Sequence, residues 1–460
     1  MKKIFVCAFA FMQLSVITSA QEIRDKIVSS LDDMQQAVQQ YERIPSLKQW
    51  MNENNIPQRI ANNHILFSWP MRVNSNYDDI PNYYRITNYV DQNWNNGVKD
   101  EWHCSARTYN GHEGLDIITY PFFWRMKDNS NVFASAGAPG IVTAVRDNLE
   151  DDNCILDGRA GNYVEVLHSD SSLARYYHIK TGSARVSVNE FIMEGQLIAL
   201  IASSGNTSNP HLHFDVRDKD GSWIEPFYSS NPDFECNTRN ESSWWQNQKP
   251  YREPQINRVM THSGTPQIFG YINSVRNDDY CKVFEDAKAK NQFSPGNPVT
   301  IGVALYDVHP DDSIFVSVRY PDNSIYTEYR QGLFNLDNLV RIGGMYRTRS
   351  FTLPSNAPEG TYTVTVDFEY RSYTESTTTL LLTKTYKHFF TVGCQPDKSL
   401  SGNVTDINGH IVSNSINSTQ LINGGRTTYQ SANYVQLNPG FRASAGTTFK
   451  AKIRSCSNVE

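Results

Sequence analysis

Eleven histidines are spread over the 460 residues, and four of them, with one aspartate, form a pattern that suits a metal ion. Gly111-His112-Glu113-Gly114-Leu115-Asp116 supplies a histidine and an aspartate four apart. Arg175-Tyr176-Tyr177-His178 ends a strand-like run, and Asn209-Pro210-His211-Leu212-His213-Phe214 supplies two histidines two apart. Residues i and i+2 of a strand face the same side, so His211 and His213 point into one site. Imidazole and carboxylate are natural zinc ligands, and a catalytic zinc keeps one position open for water. Three protein ligands plus water, with further histidines nearby, is the composition of a hydrolytic metal site. Each piece alone is ordinary. His112-Glu113 also begins like a zincin helix motif, but that motif needs a second histidine where Asp116 stands, and Gly114 disfavours a helix.

The elements that must position these residues read as β. From residue 61 to 235 the chain is written in short β runs with glycine punctuation: Ile65-Leu66-Phe67, Gly140 to Val145, Asn162 to Leu167 and Leu212 to Val216. No helical pattern alternates regularly with them, which disfavours a parallel α/β sheet and predicts a mainly antiparallel β domain. Ahead of it, residues 21–60 read as helical, with Ile27, Leu31, Met34 and Val38 in one apolar stripe. Residues 236–285 read as a polar connector containing Trp244 and Trp245. Evenly spaced β-branched runs across 286–394 predict an immunoglobulin-like β-sandwich, a fold that carries no function by itself. Residues 395–460 predict a small β-rich C-terminal module, with Asn408-Gly409, Asn423-Gly424 and Pro439-Gly440 as turns between very short strands.

Composition bounds the function class. The formal net charge is -6, so no broad basic field exists and general nucleic-acid binding is excluded. Aromatics make up 12% of the chain, too many for a disordered protein and suited to pleated sheets. No apolar run is long enough to span a bilayer, so no transmembrane anchor is expected. Residues 1–20 read as an export signal: Lys2 and Lys3, an apolar run, then Thr18-Ser19-Ala20 before the cleavage point. Its removal takes Cys7 and leaves Cys104, Cys154, Cys236, Cys281, Cys394 and Cys456. An even number in an exported chain suggests disulfides, and local pairing (104 with 154, 236 with 281, 394 with 456) is expected. With no CxxC, a cysteine-bound zinc site is not expected.

Taken in order and with its flanking text, the constellation resembles the M23 family of zinc metallopeptidases, the LytM/lysostaphin-like cell-wall endopeptidases. The resemblance runs through His112 and Asp116, Gly140-Ile141-Val142, Gly161 to His168, Tyr176-Tyr177-His178, Gly195 to Ala199 and Ser204 to Phe214, roughly residues 65–228. It implies an antiparallel β peptidase domain with one zinc held by His112, Asp116 and His213. His178 and His211 would face the open position as catalytic residues, one accepting a proton from the activated water and the other stabilising the oxyanion, in either assignment. Asn162 and Tyr177 are expected to line the cleft.

Two usual glycines are replaced by Ala202 and Asn209. The turn at Asn209 is expected to survive because asparagine tolerates left-handed backbone. The long 117–139 and 146–160 stretches are expected to wall the groove. His103, His168 and His309 read as loop or turn residues without a catalytic role. The resemblance implies a secreted or cell-surface zinc metalloendopeptidase cutting peptidoglycan cross-links. A protease for Gly-rich proteins, and a non-catalytic wall-binding or adhesion protein, are the alternatives. The last thirty or so residues resemble small β modules of secreted or surface proteins, which implies cell-surface association through the C-terminal modules.

Overall fold

In the stretch His211–Arg217, Leu212, Phe214 and Val216 are fully buried while His211 and His213 on the other face are only half-buried. That alternation is the signature of a strand with one face in a core. The computed structural model describes residues 43–57, 59–74, 82–93, 98, 100–231, 236, 240–268, 285–333, 343–372, 380–394 and 397–456. The expected export signal and the expected Ile27 to Val38 stripe lie outside the described residues.

A helix at residues 43–53 (α1) is followed by β1 (Ile60–Ala61), β2 (His64–Ile65), β3 (Met71–Val73), β4 (Tyr84–Asn88) and β5 (Leu115–Thr119). Then come α2 (Phe123–Asp128), β6 (Val132–Ser135), β7 (Gly140–Arg146), β8 (Tyr163–Leu167) and β9 (Leu173–Tyr177). β10 (Phe191–Ile192), β11 (Leu197–Leu200), β12 (His211–Arg217) and β13 (Trp223–Ile224) complete the domain. The larger sheet runs β10-β7-β8-β9-β12-β5-β4, with β13 added to β12, and all its described pairs are antiparallel. A smaller antiparallel sheet, β11-β6-β3, covers one face of it. Leu115, Ile117, Val164, Val166, Tyr176, Leu212 and Phe214 face Ala134 and Ile198 in the core between the sheets. α1 seats Leu47 and Met51 on Ile141, Leu167 and Leu173.

The mainly antiparallel reading of the domain agrees with this architecture. Its expected edge does not. Trp244 and Trp245 of the expected connector are buried in the peptidase-side core. β14 (Gln255–His262) then pairs antiparallel with β16 (Pro298–Val308). Seven of its eight residues are buried, with only Arg258 half-exposed, so the strand has no alternation to betray it.

β14, β16 and β19 (Gly343–Thr352) form one layer of a sandwich. β15 (Gln292–Phe293), β21 (Leu380–Val392), β20 (Gly360–Ser372), β17 (Ser313–Arg319) and β18 (Ile325–Gly332) form the other. Val303, Val316, Val364, Phe368 and Phe390 fill the space between the layers. The sandwich docks on the peptidase sheet at β4. The Tyr306 hydroxyl donates to Ile86 O over 3.1 Å, and Arg107 donates to both that hydroxyl and that carbonyl. Arg107 also lies 3.4 Å from the fully buried carboxylate of Asp307, whose own backbone is left-handed at φ 52°.

The last module departs from the expected turns. β22 (Asp397–Leu400), β25 (Ser415–Ser418) and β28 (Tyr434–Leu437) form one parallel sheet. β23 (Asn403–Val404), β26 (Leu421–Ile422) and β29 (Arg442–Ala443) form a second, and β24 (Asn408–Val412), β27 (Arg426–Ser431) and β30 (Thr448–Ile453) a third. The chain therefore winds as a three-sided parallel coil around Leu400, Val412, Ile416 and Tyr429. Asn408-Gly409 sits inside β24 rather than at a hairpin tip.

The cysteines also depart from local pairing. Cys104 joins Cys236, with Cα atoms 5.1 Å apart, and Cys394 joins Cys456 as expected. Cys154 is disulfide-bonded too, and Cys281 lies outside the described residues. No helix among the described residues is long and apolar enough to cross a membrane.

Candidate metal centre

The register of three neighbouring strands assembles the site. In the antiparallel ladders His213 of β12 stands opposite Asp116 of β5 on one side and Tyr177 of β9 on the other. Pleating sends Leu115, Leu212, Phe214 and Tyr176 into the core and leaves Asp116, His211, His213 and Tyr177 on the opposite face. His112 comes from the turn before β5. Gly111 there is left-handed at φ 75°, and its N–H donates to Asp91 Oδ2 over 2.7 Å. His178 follows β9 directly in left-handed backbone at φ 64°.

Hydrogen bonds orient each ring. His112 Nδ1 is 2.7 Å from the carbonyl of Tyr89, an atom that only accepts, so Nδ1 carries a proton and Nε2 is the atom turned toward Asp116. His211 Nδ1 is likewise 2.9 Å from Asn209 O, and His178 Nδ1 is 2.6 Å from Ser204 O. Both rings therefore present Nε2 to the site, with centroids 4.5 Å apart. Asp116 is anchored by Asn88, whose Nδ2 donates to Oδ2 over 2.9 Å, which leaves Oδ1 for the centre.

Three atoms converge there. His112 Nε2 to Asp116 Oδ1 is 3.2 Å, Asp116 Oδ1 to His213 Nδ1 is 2.9 Å, and His213 Nδ1 to His112 Nε2 is 3.3 Å. A tetrahedral ion with ligand bonds of 2.0–2.1 Å needs ligand atoms about 3.3 Å apart. Two imidazoles and one carboxylate in that triangle fit zinc, and they are the metal-compatible cluster found among the described residues. Burial alone would raise the Asp116 carboxyl, but His112 and His211 beside it hold it well below the ordinary range, so it is an anion ready to bind a cation. Burial, reinforced by His211 and His213, pushes His178 well below the usual imidazole value and keeps it neutral.

The five expected site residues come together; the supporting cast differs from expectation. Asn162 does not line the cleft. It is fully buried, with Oδ1 accepting from Leu149 N over 2.9 Å and Nδ2 donating to Leu149 O over 2.8 Å, and so pins a loop. Tyr177 does border the site, its ring 4.6 Å from that of His178. Asn209 is not left-handed; its carbonyl is needed instead to orient His211. Ala202 bridges the two outer histidines, donating to His178 O over 3.0 Å and accepting from His211 N over 3.1 Å.

The 117–139 stretch turns away from the groove. Phe122 packs on Met260 and Ala287, and Phe123 and Trp124 lie in a cluster with Ala304 of the sandwich. In the 146–160 stretch, Asn153 binds Gly205 O over 2.5 Å and so braces the loop behind His178. His103 stacks on Tyr251 and His168 is buried against Pro139 O, consistent with structural roles.

Two supporting residues carry no sequence signal, and the part of Gly114 in the site goes beyond its effect on helix formation. Asn88 and Tyr89 hold ligands from a segment with no motif, and Gly114 leaves room for the His213 ring. For Gly114 the HxxxD spacing carried a signal, since a glycine between ligands marks a close approach.

Residues 110–226 match the model described as Peptidase family M23. Peptidoglycan DD-endopeptidase ShyB of Vibrio cholerae is 37% identical over 57 residues, 12% of this chain and 13% of ShyB. Peptidoglycan DD-endopeptidase ShyC of the same organism is 33% identical over 55 residues, 12% of each chain. The aligned stretch thus spans 12–13% of the length of these curated relatives. Among solved structures, a zinc containing peptidase from Vibrio cholerae shares 22% identity over 36% of this chain and 41% of that one, with a TM-score of 0.24. The catalytic domain of lysostaphin from Staphylococcus simulans shares 16% identity over 34% and 96%, with a TM-score of 0.21. The chain therefore carries a peptidase family M23 domain, and all five residues of the site fall inside it.

Proposed function

We propose that this chain is an exported zinc metalloendopeptidase that cuts peptide cross-links in peptidoglycan. The observation that carries the proposal is the triangle of His112 Nε2, Asp116 Oδ1 and His213 Nδ1, with His178 and His211 presenting Nε2 atoms beside it. Zinc in such a site supplies Lewis acidity, polarising a carbonyl and lowering the pKa of water toward about 7. The chain's own groups supply the rest. Neutral His178 offers a lone pair at Nε2 to accept a proton, and its Nδ1–H is locked on Ser204 O so that the acceptor cannot rotate away. His211, locked the same way on Asn209 O, holds the second Nε2 where an anionic oxygen or a leaving amine needs a proton donor. Tyr177 walls the pair. Peptidoglycan as substrate is supported by the names of the relatives, and export by the leader at residues 1–20. Surface association through the C-terminal modules belongs to the same reading.

The test is mass spectrometry of peptides released from purified sacculi by zinc-loaded mature protein, run beside oligoglycine and elastin-like substrates. Release of cut cross-links is expected, with about one zinc per chain. His213→Ala is expected to lose both zinc and activity, and His178→Ala to keep zinc and lose activity. Zinc retention without cleavage of any of these substrates would overturn the enzyme reading, and preference for the glycine-rich proteins would overturn the substrate.

A further inference from the structure

The outer face of β12 carries one residue that its burial sets apart. His211, His213 and Arg217 on that face are half-buried, but Asp215 between them is only 2% exposed. A carboxylate out of water on a sheet face needs partners, because an unpaired buried charge is costly. One partner lies across the ladder. Arg175 of β9 stands opposite Asp215, and its Nε donates to Asp215 Oδ2 over 2.9 Å. That guanidinium is in turn hemmed in by rings, 5.5 Å from the centroid of Tyr177, 5.8 Å from that of Tyr163 and 5.7 Å from that of Trp223. A charge-assisted bond from a confined donor holds the carboxylate in one place.

The other partner is an imidazole of the metal centre. Residues two apart on a strand share a face, so Asp215 lies beside His213. The same Oδ2 is 3.7 Å from His213 Nε2, an electrostatic contact longer than a hydrogen bond. His213 turns its Nδ1 to Asp116 and His112, and an imidazole that gives its Nδ1 lone pair to a metal carries its proton on Nε2. Gly114 makes room for that edge of the ring, since a Cβ there would fall 2.6 Å from Nε2 and 2.8 Å from Cε1. The two imidazoles of the triangle thus differ behind the site. The far nitrogen of His112 meets the neutral carbonyl of Tyr89, whereas that of His213 faces an acid. A carboxylate behind a ligating imidazole fixes its tautomer and raises its basicity.

We propose that Asp215 is a positioning residue for the metal centre. Held by Arg175, its carboxylate attracts the Nε2–H of His213 and so keeps the Nδ1 lone pair on the ion. The proposal rests on the reading of His112, Asp116 and His213 as zinc ligands. It extends the centre sideways across the sheet, from β12 to a salt bridge whose cation lies outside the ligand triangle.

The test measures zinc affinity of the mature full-length chain by competition with a chromogenic chelator at one fixed pH. Asp215→Ala is expected to bind zinc about 10- to 100-fold more weakly than the parent. Asp215→Asn, whose amide oxygen accepts the N–H without the charge, is expected to fall between the two. Arg175→Met keeps the carboxylate and is expected to stay within about threefold of the parent. If Asp215→Ala strands Arg175 and does not fold, the double variant Asp215→Ala with Arg175→Met removes both charges and carries the same expectation. Long-range proton–nitrogen NMR of the zinc-loaded, histidine-labelled protein supplies a readout that a merely structural role would not move. The parent is expected to show His213 protonated at Nε2, with that proton protected from exchange, and Asp215→Ala to lose the protection. A parent that binds no zinc overturns the ligand reading and this proposal with it. Zinc in the parent with undiminished affinity in Asp215→Ala or the double variant overturns this proposal alone. So does an equal loss in Arg175→Met, which would assign the effect to the ion pair's support of the sheet.

Discussion

Gly114 and His213 are so close that a Cβ built on the glycine falls 2.6 Å from Nε2 of the imidazole. The same Cβ would meet Phe214 O at 3.0 Å, so the ring has backbone behind the intruding atom and little room to slide. Gly114→Ala is therefore expected to turn His213 away from Asp116 and lose at least about tenfold in zinc affinity, the scale seen when ligand orientation is disturbed. Zinc titration against a chromogenic chelator checks this, with far-UV circular dichroism expected to stay at the wild-type spectrum. Wild-type zinc affinity in the variant would show that the site tolerates the displacement.

Asn88 acts on the other ligand. Its amide is the donor that fixes Asp116 Oδ2 and leaves Oδ1 to the centre. Asn88→Ala is expected to weaken zinc by about 10- to 100-fold with little change in melting temperature. An Asn88→Asp variant, which removes the donor and adds a like charge, is expected to be worse still. Competition titrations on the two variants and the parent decide the order.

Two carboxyls in the peptidase core make stability depend on pH. Burial pushes Glu101 up to about 7, against the pull of the His103 N–H that it accepts over 2.8 Å. Burial also raises Glu225 well above its ordinary value, although the N–H groups of Phe227 and Val90 bind it. Both acids are thus protonated in the fold at a pH where the unfolded chain has released the proton. Stability is expected to fall as pH rises from about 4.5 through 7, by about 1.4 kcal/mol for each unit of pKa difference. Glu101→Gln, which keeps the shape without the charge, is expected to flatten the fall. Chemical denaturation at pH 5, 6, 7 and 8 measures it; parallel curves for variant and parent would count against Glu101.

The pair across the domain boundary is expected to be costly to split. Arg107 and Asp307 have side chains only 9% and 0% exposed, so removing one charge strands the other. Asp307→Asn, chosen because asparagine accepts the left-handed backbone there, is expected to cost about 3 kcal/mol or more. Adding Arg107→Met is expected to recover much of that loss. Denaturant titrations of the single and double variants test the coupling.

The candidate metal centre was legible because its residues obey local rules. Two histidines on one strand share a face, and HxxxD ties the third and fourth participants to the same sheet. What was not legible depends on partners distant in sequence. Asn88 and Tyr89 matter only because β4 lies beside β5, and nothing in their own neighbourhood says so. β14 was lost in the connector because a strand buried on both faces does not alternate. The coil at 397–453 hid its repeat behind turns of unequal length: Asn403 pairs with Leu421 and Leu421 with Arg442, while Asp397 pairs with Ser415 and Ser415 with Tyr434. An Asn-Gly pair looks like a hairpin tip, but in parallel winding Gly409 serves contact with Phe389 instead. Cys104 chose Cys236 over nearer Cys154 because the fold returns the chain to the same edge, a closure that spacing alone does not encode.

The buried Arg107–Asp307 pair also bears on how such a protein is inherited. A cut placed at residue 110, where the family match begins, leaves the arginine behind and parts it from its aspartate in the sandwich. A longer catalytic segment that keeps Arg107 but takes a different downstream module would lose Asp307 and leave the guanidinium without its partner. Peptidase and sandwich are therefore expected to tolerate separation best when Arg107 and Asp307 are replaced together.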